Sequence, residues 1–121
     1  MINRSLKKVL FIGISILSIQ GNAQDALNKD LLSKQCYTLS TSVSTLVFSQ
    51  EKASCIDKLN LAARQIDHAG DLVAEEDFDK ARQYLDDSIF TLQYAELSIC
   101  KRYIQISHSK LEVQKIKKLF M

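Results

Sequence analysis

Cysteine is the residue type in this sequence whose chemistry is easiest to place. The chain carries Cys36, Cys55 and Cys100, and in an oxidising compartment two of the three are expected to pair. If two antiparallel helices meet at a turn over residues 75–77, Cys55 and Cys100 lie at the same level, because both helices rise equally per residue. We therefore predict a Cys55–Cys100 disulfide, whereas a turn at Gly70 would spoil this pairing.

The third cysteine is predicted to stay unpaired within the chain. If the first helix turns near Ser49 and Gln50, Cys36 lies level with about residue 64, where the sequence has no cysteine. A kink in that helix would weaken this exclusion, and pairing of Cys36 between chains stays open.

Other reactive groups are sparse. His68, Asp71 and Glu75 fall on one side of a helix and could supply metal ligands, but a polar helix surface explains them better. The sequence has no C-x-x-C, no Gly-rich phosphate loop, no G-x-S-x-G and no H-E-x-x-H motif. We therefore expect no catalytic residues, no metal site and no cofactor.

Charge is segregated along the chain. Residues 67–87 carry eight acids and two bases, and residues 101–118 carry six bases and one acid. Solvated helix ends explain these blocks more simply than steering of a charged partner does. The densest group of acids is a candidate interaction patch that consists of Glu75, Glu76, Asp77 and Asp79. These acids fit the positive end of a helix dipole better than they fit a calcium-binding loop. The candidate basic tail consists of Lys110, Lys115, Lys117 and Lys118.

Two helical stripes dominate the hydropathy pattern. The first predicts a helix from about Ala53 to Ala74, with Ser49 or Ser54 as its cap, and the second predicts a helix from about Asp77, with Ile89 and Phe90 widening the stripe. The stripe positions are Cys55, Leu59, Ala62, Ile66, Ala69 and Val73, then Phe78, Ala81, Leu85, Ser88, Leu92, Ala95 and Ile99. Residues 70–89 resemble the second half of a tetratricopeptide-like hairpin. No second copy follows at the ~34-residue period, so generic helix packing is the better interpretation.

The outer segments are less regular. Leu27, Leu31, Leu39 and Val43 predict a first helix, kinked near residues 40–44 where Ser and β-branched residues weaken helix propensity. A capping box at Ser109 and Glu112 predicts that the tail restarts there, as a fourth short helix or as an extension of the third. Packing explains this tail better than contact with anionic lipid, lipopolysaccharide or an acidic protein. The fold class is therefore all-α, a three- or four-helix up-and-down bundle.

The N-terminus has the pattern of a secretory signal. A basic start is followed by the apolar run of residues 9–19 and by small residues ending at Ala23. Cleavage after Ala23 would leave a helical domain over residues 24–121 with 13 bases and 14 acids. We expect a periplasmic or extracellular protein; an uncleaved anchor or a buried helix is the alternative.

Composition and motif content favour binding over catalysis. The chain is 121 residues long, has no Pro or Trp, and is 46% hydrophobic, which is ordinary for one folded domain. We expect a non-catalytic interaction protein for an unidentified protein partner, with an inhibitor or immunity protein as one form. Its acidic patch would enter a basic cleft. A stress or chaperone-like binder and a secretion-system or envelope structural component are the alternatives. Nucleic-acid binding is not expected, because the acidic block cancels the basic tail.

Overall fold

Four α-helices follow one another in the computed structural model, which describes residues 20–120 and their side chains from residue 29. They are α1 (Gln20–Leu46), α2 (Ala53–Ala74), α3 (Phe78–Leu97) and α4 (Tyr103–Lys118), and one turn of 3-10 helix, Val47–Ser49, follows α1. No strand occurs in this part of the chain, so the all-α prediction is confirmed. Residues 1–19 of the predicted signal lie outside the described residues, and the predicted cleavage point after Ala23 falls within the first turns of α1.

The helices form a ring in chain order. α2 packs against both α1 and α3, α3 packs against α4, and α1 closes the ring against α4. This is the up-and-down arrangement that short connections impose on successive helices. Two connections, between α1 and α2 and between α3 and α4, lie at one end of the bundle, which we call the disulfide end. The turn between α2 and α3 lies at the other end, the tip.

The predicted stripes form most of the core. All six stripe positions of α2 are buried, as are the five from Ala81 to Ala95 on α3. The C-terminal end of the second stripe was wrongly placed, because α3 stops at Leu97 and leaves Ile99 exposed. Phe90 does not widen the stripe either, since its side chain is 72% exposed.

The first helix is continuous from Gln20 to Leu46, including the predicted kink region of residues 40–44. Two buried serines of α1 bind the α2 backbone: the hydroxyl of Ser40 donates to the carbonyl of Ala63 at 2.7 Å, and that of Ser33 donates to the carbonyl of Gly70 at 3.0 Å. These bonds satisfy buried hydroxyl groups that would otherwise be costly to desolvate. The two bonded pairs fix the register between α1 and α2, and they place Cys36 level with residue 67 rather than with residue 64.

Gly70 allows α1 to approach α2 closely. A Cβ atom at this position would lie 2.7 Å from the Tyr37 ring and 3.1 Å from the Cβ of Cys36. Gly in a helix interior is less favourable than Ala by about 1 kcal/mol. The close approach explains why the helix carries a glycine here.

The helix ends differ from several predicted caps. Asp77 caps α3 by accepting from the backbone N–H of Lys80 at 3.3 Å, as acids at a helix start favour. Lys52 precedes α2 without a side-chain cap, so neither Ser49 nor Ser54 has the predicted role. The fourth helix begins at Tyr103, and Ser109 is buried inside it rather than capping it. The α3–α4 connection spans residues 98–102, so α4 begins earlier in the chain than the capping-box pattern at Ser109 predicted.

Candidate binding groove between the first and last helices

The predicted disulfide is present. Cys55 and Cys100 are bonded, with their Cα atoms 5.7 Å apart, and both residues are buried. Cys100 lies beyond the end of α3, so the bond ties the start of α2 to the α3–α4 connection rather than joining two helices. It holds the fold and offers no exposed thiol for chemistry.

Cys36 is unpaired and buried. Burial, with a smaller contribution from the negative charge of Asp67, raises the pKa of its thiol from 9.0 to about 12. A thiol is nucleophilic and binds metals as the thiolate. Cys36 therefore stays protonated near neutral pH and is suited to packing.

The acidic patch at the tip is largely paired within the chain. Glu76 accepts from Lys29 at 3.1 Å, Asp79 accepts from Arg82 at 2.6 Å, and Asp77 is engaged as the helix cap. Glu75 is exposed. The patch therefore presents less free negative charge than the sequence count suggests.

The basic tail divides between two faces of α4. Lys110 and Lys117 point to α3 and pair at 2.6 Å with Glu96 and Asp86. The Glu96 side chain is only 10% exposed. Burial alone would raise the pKa of Glu96, but hydrogen bonds from Lys110 and Ser107, together with the charge of Lys110, outweigh it and lower that pKa. These two lysines are structural and anchor α4 to α3.

The other two lysines of the tail face α1 across an open groove. The groove has a volume of about 880 Å³, within the usual range for binding pockets. Its walls are formed by one face of α1 and one face of α4: Leu31, Lys34, Gln35, Thr38, Leu39 and Ser42, and His108, Ser109, Glu112, Lys115, Ile116, Lys118 and Leu119.

Charge and apolar surface are unevenly distributed in this groove. Because α1 and α4 run antiparallel, residues 31–35 of α1 lie near residues 115–119 of α4. Lys34, Lys115 and Lys118 therefore collect toward the tip, beside leucine and isoleucine side chains. Glu112 pairs with Lys115 at 3.2 Å and approaches His108 at 3.8 Å. The groove thus keeps excess positive charge over an apolar floor.

The α1 side of this groove did not emerge from the sequence. Leu31 and Leu39 served only to predict the first helix, whereas in the structure Leu31 is half exposed and Leu39 only partly buried. Lys34 was not singled out, although it lies about one turn after Leu31 on the same helix. A lysine inside an otherwise apolar stripe was the available signal.

His68 and Asp71, two of the possible metal ligands in the sequence, each contact a tyrosine instead. His68 packs against the ring of Tyr84 at a centroid distance of 4.6 Å, and Asp71 accepts from the hydroxyl of Tyr37 at 2.5 Å. The Asp71 bond is the main reason that the pKa of Tyr37 is raised. Across residues 29–120, no group of three or more His, Cys, Asp or Glu side chains is arranged to hold a metal ion.

Comparison with protein-family models, curated proteins and solved structures finds no match for this chain. Within the described residues, no helix has the length and apolar content needed to cross a membrane.

Proposed function

We propose that the protein is an exported, non-catalytic binding protein that holds an acidic amphipathic helix of a partner protein in the α1–α4 groove. One observation carries this proposal: lysines from two helices stand over an apolar floor at one end of an open groove of about 880 Å³. Anionic side chains on the partner would complement these lysines.

The dimensions of the groove suit a helix. The walls extend from Leu31 to Ser42 and from His108 to Leu119, which corresponds to about 16 Å, or three helical turns. A partner helix would place apolar side chains at helical spacing against Leu39 and Ile116, the mode by which grooves between helices bind amphipathic helices. Its acids would face the lysines.

The narrower form of the proposal is an inhibitor or immunity protein whose target contributes the helix. A chaperone-like role would use the same groove with less sequence preference. The groove favours binding over catalysis because its one imidazole, that of His108, is exposed and approaches only Glu112. Catalysis requires a nucleophile, a base and a group that orients the base to converge.

Photo-crosslinking from within the groove tests the proposal. A photoreactive residue replaces Thr38, which lines the groove, and in a matched variant it replaces Gln83, which is exposed on α3. After irradiation in the envelope fraction, we expect a discrete adduct from position 38 and none from position 83. Added salt should weaken the adduct, because surface charge is screened.

Charge reversal provides the second arm. K34E/K115E/K118E should abolish the adduct from position 38, whereas K80E, an exposed lysine outside the groove, should leave it unchanged. An adduct that survives the triple reversal, or that forms equally from position 83, would refute the proposal. Circular dichroism of each variant confirms that the helices remain.

A further inference from the structure

The disulfide end of the bundle exposes an unusual amount of apolar surface. Phe48 is 87% exposed and Ile99 is 81% exposed, and three further large side chains at this end are more than half exposed: Leu97, Tyr103 and Ile104. They belong to the 3-10 turn, the end of α3, the α3–α4 connection and the first turn of α4. Four segments thus present apolar groups at one end of the molecule, and an exposed apolar surface of this kind marks an interaction site.

The backbone holds Ile99 in this exposed position. Its φ is 58°, in the left-handed region, where a β-branched residue is a genuine outlier and where strain costs about 1–3 kcal/mol. Arg102 is also left-handed, with φ of 64°. The exposed side chain of Ile99 gains little from burial to offset this backbone strain, so its placement points to a role outside the fold.

The connection that carries Ile99 is firmly fixed. The side-chain amide of the buried Gln50 donates to the carbonyl of Lys101 at 2.8 Å and accepts from the Lys101 N–H at 2.9 Å. Lys52 donates to the carbonyl of Ser98 at 2.8 Å, and the disulfide holds Cys100. The apolar surface is therefore preorganised, which lowers the entropy lost on binding.

Positive charge accompanies this surface. Lys52, Lys101 and Arg102 lie among the exposed apolar residues, and Glu51 pairs with Lys101 at 3.0 Å. Apolar side chains that protrude from an end, with cations beside them, match the interface of an anionic bilayer: the apolar groups enter the acyl boundary and the cations meet lipid headgroups.

We propose that the disulfide end docks on the surface of an anionic membrane, with Ile99 and Ile104 inserted at the interface. A bilayer is favoured over a protein because the apolar residues protrude from connections and helix ends, and do not line a groove that a protein segment could fill. This surface differs from the basic tail, whose lysines pair with α3 or face α1. The docking proposal does not depend on the groove.

Binding to defined vesicles tests this proposal. The oxidised protein, purified after export, is sedimented with vesicles of phosphatidylglycerol and phosphatidylcholine and with vesicles of phosphatidylcholine alone. We expect binding to the anionic vesicles that weakens with salt. I99N/I104Q should reduce this binding by about tenfold or more, and asparagine also tolerates the left-handed backbone at position 99. L111Q, which replaces an exposed leucine outside this end, is the matched control and should bind as the original protein does.

A fluorescence signal reports the depth of insertion. The chain has no tryptophan, so F48W provides a single probe at the disulfide end, and we expect its emission to shift to shorter wavelength with anionic vesicles. L111W should show no shift. Lack of binding to anionic vesicles, or equal binding by I99N/I104Q, would overturn the proposal. Loss of binding in K115E/K118E but not in I99N/I104Q would assign the contact to the basic tail and overturn it as well.

Discussion

Removal of the Cys55–Cys100 disulfide should cost the protein a large share of its stability. The bond closes a loop with a sequence separation of 45 residues. The loop-closure entropy of the unfolded chain then gives about 4 kcal/mol at 25 °C. Small domains have about 5–15 kcal/mol in total, so the reduced protein should lie close to its unfolding transition. The fold should persist in form, because the Gln50 bonds to Lys101 continue to hold the connection.

Urea unfolding with and without reductant measures this loss. We expect reductant to lower the free energy of unfolding by about 4 kcal/mol in the original protein, and by the same amount in C36A, which keeps the disulfide. C55A/C100A should not respond to reductant. A loss of less than about 1 kcal/mol in the original protein would show that the loop-closure entropy argument does not apply to this bundle. If C36A no longer responded to reductant, Cys36 would be part of the disulfide, and the Cys55–Cys100 pairing would be wrong.

Three further predictions concern the interior and its charges. G70A should lower the free energy of unfolding by about 1 kcal/mol, because overpacking against Tyr37 outweighs the helix propensity that Ala adds. In a Y37A background the same change should cost less, and an equal cost in urea unfolding would contradict the contact. Cys36 should resist thiol reagents at pH 8 until the protein unfolds. Its raised pKa stabilises the fold below pH 9, a contribution lost between pH 9 and about 12 at about 1.4 kcal/mol per pH unit, so C36A should show a shallower alkaline loss. The lowered pKa of Glu96 stabilises the fold above the ordinary 4.5 and this contribution disappears as pH falls through the folded value. The stability difference between E96Q and the original protein should therefore shrink in acid, and a constant difference from pH 7 to pH 3 would exclude the ion pair with Lys110 as its cause.

The α2–α3 hairpin was the part that sequence reasoning could predict. Its stripe from Cys55 to Val73 is regular, and its turn lies midway between two cysteines, so periodicity and helix rise were sufficient to place the disulfide. The helical period is a local signal, and the level of the two cysteines depends only on the position of one turn. The start of α4 was misplaced because Ser109 and Glu112 fit a capping box in sequence, while the structure begins the helix at Tyr103.

The groove and the charge pairing depend on how the ring closes. Which lysines of α4 face α3 and which face α1 follows from the rotation of α4, and a 16-residue helix with a mixed surface does not fix that rotation from its sequence. Lys117 and Lys118 are adjacent in the chain, yet Lys117 pairs with Asp86 and Lys118 lines the groove. Because charges in both blocks pair within the chain, the net charge of each block overstated the unpaired charge at the surface.

The placement of the connections determines how the molecule can open. The sulfur bridge makes a covalently closed unit of α2 and α3, and α1 and α4 each leave that unit at the same end. If α1 and α4 separate, each helix would therefore rotate about its own connection to the unit, and both connections lie at the disulfide end. The distance between the helices would increase most between Leu31 and Leu119 and least between Ser42 and His108. The groove would therefore widen most at its end near the tip, where the lysines lie, without breaking the disulfide.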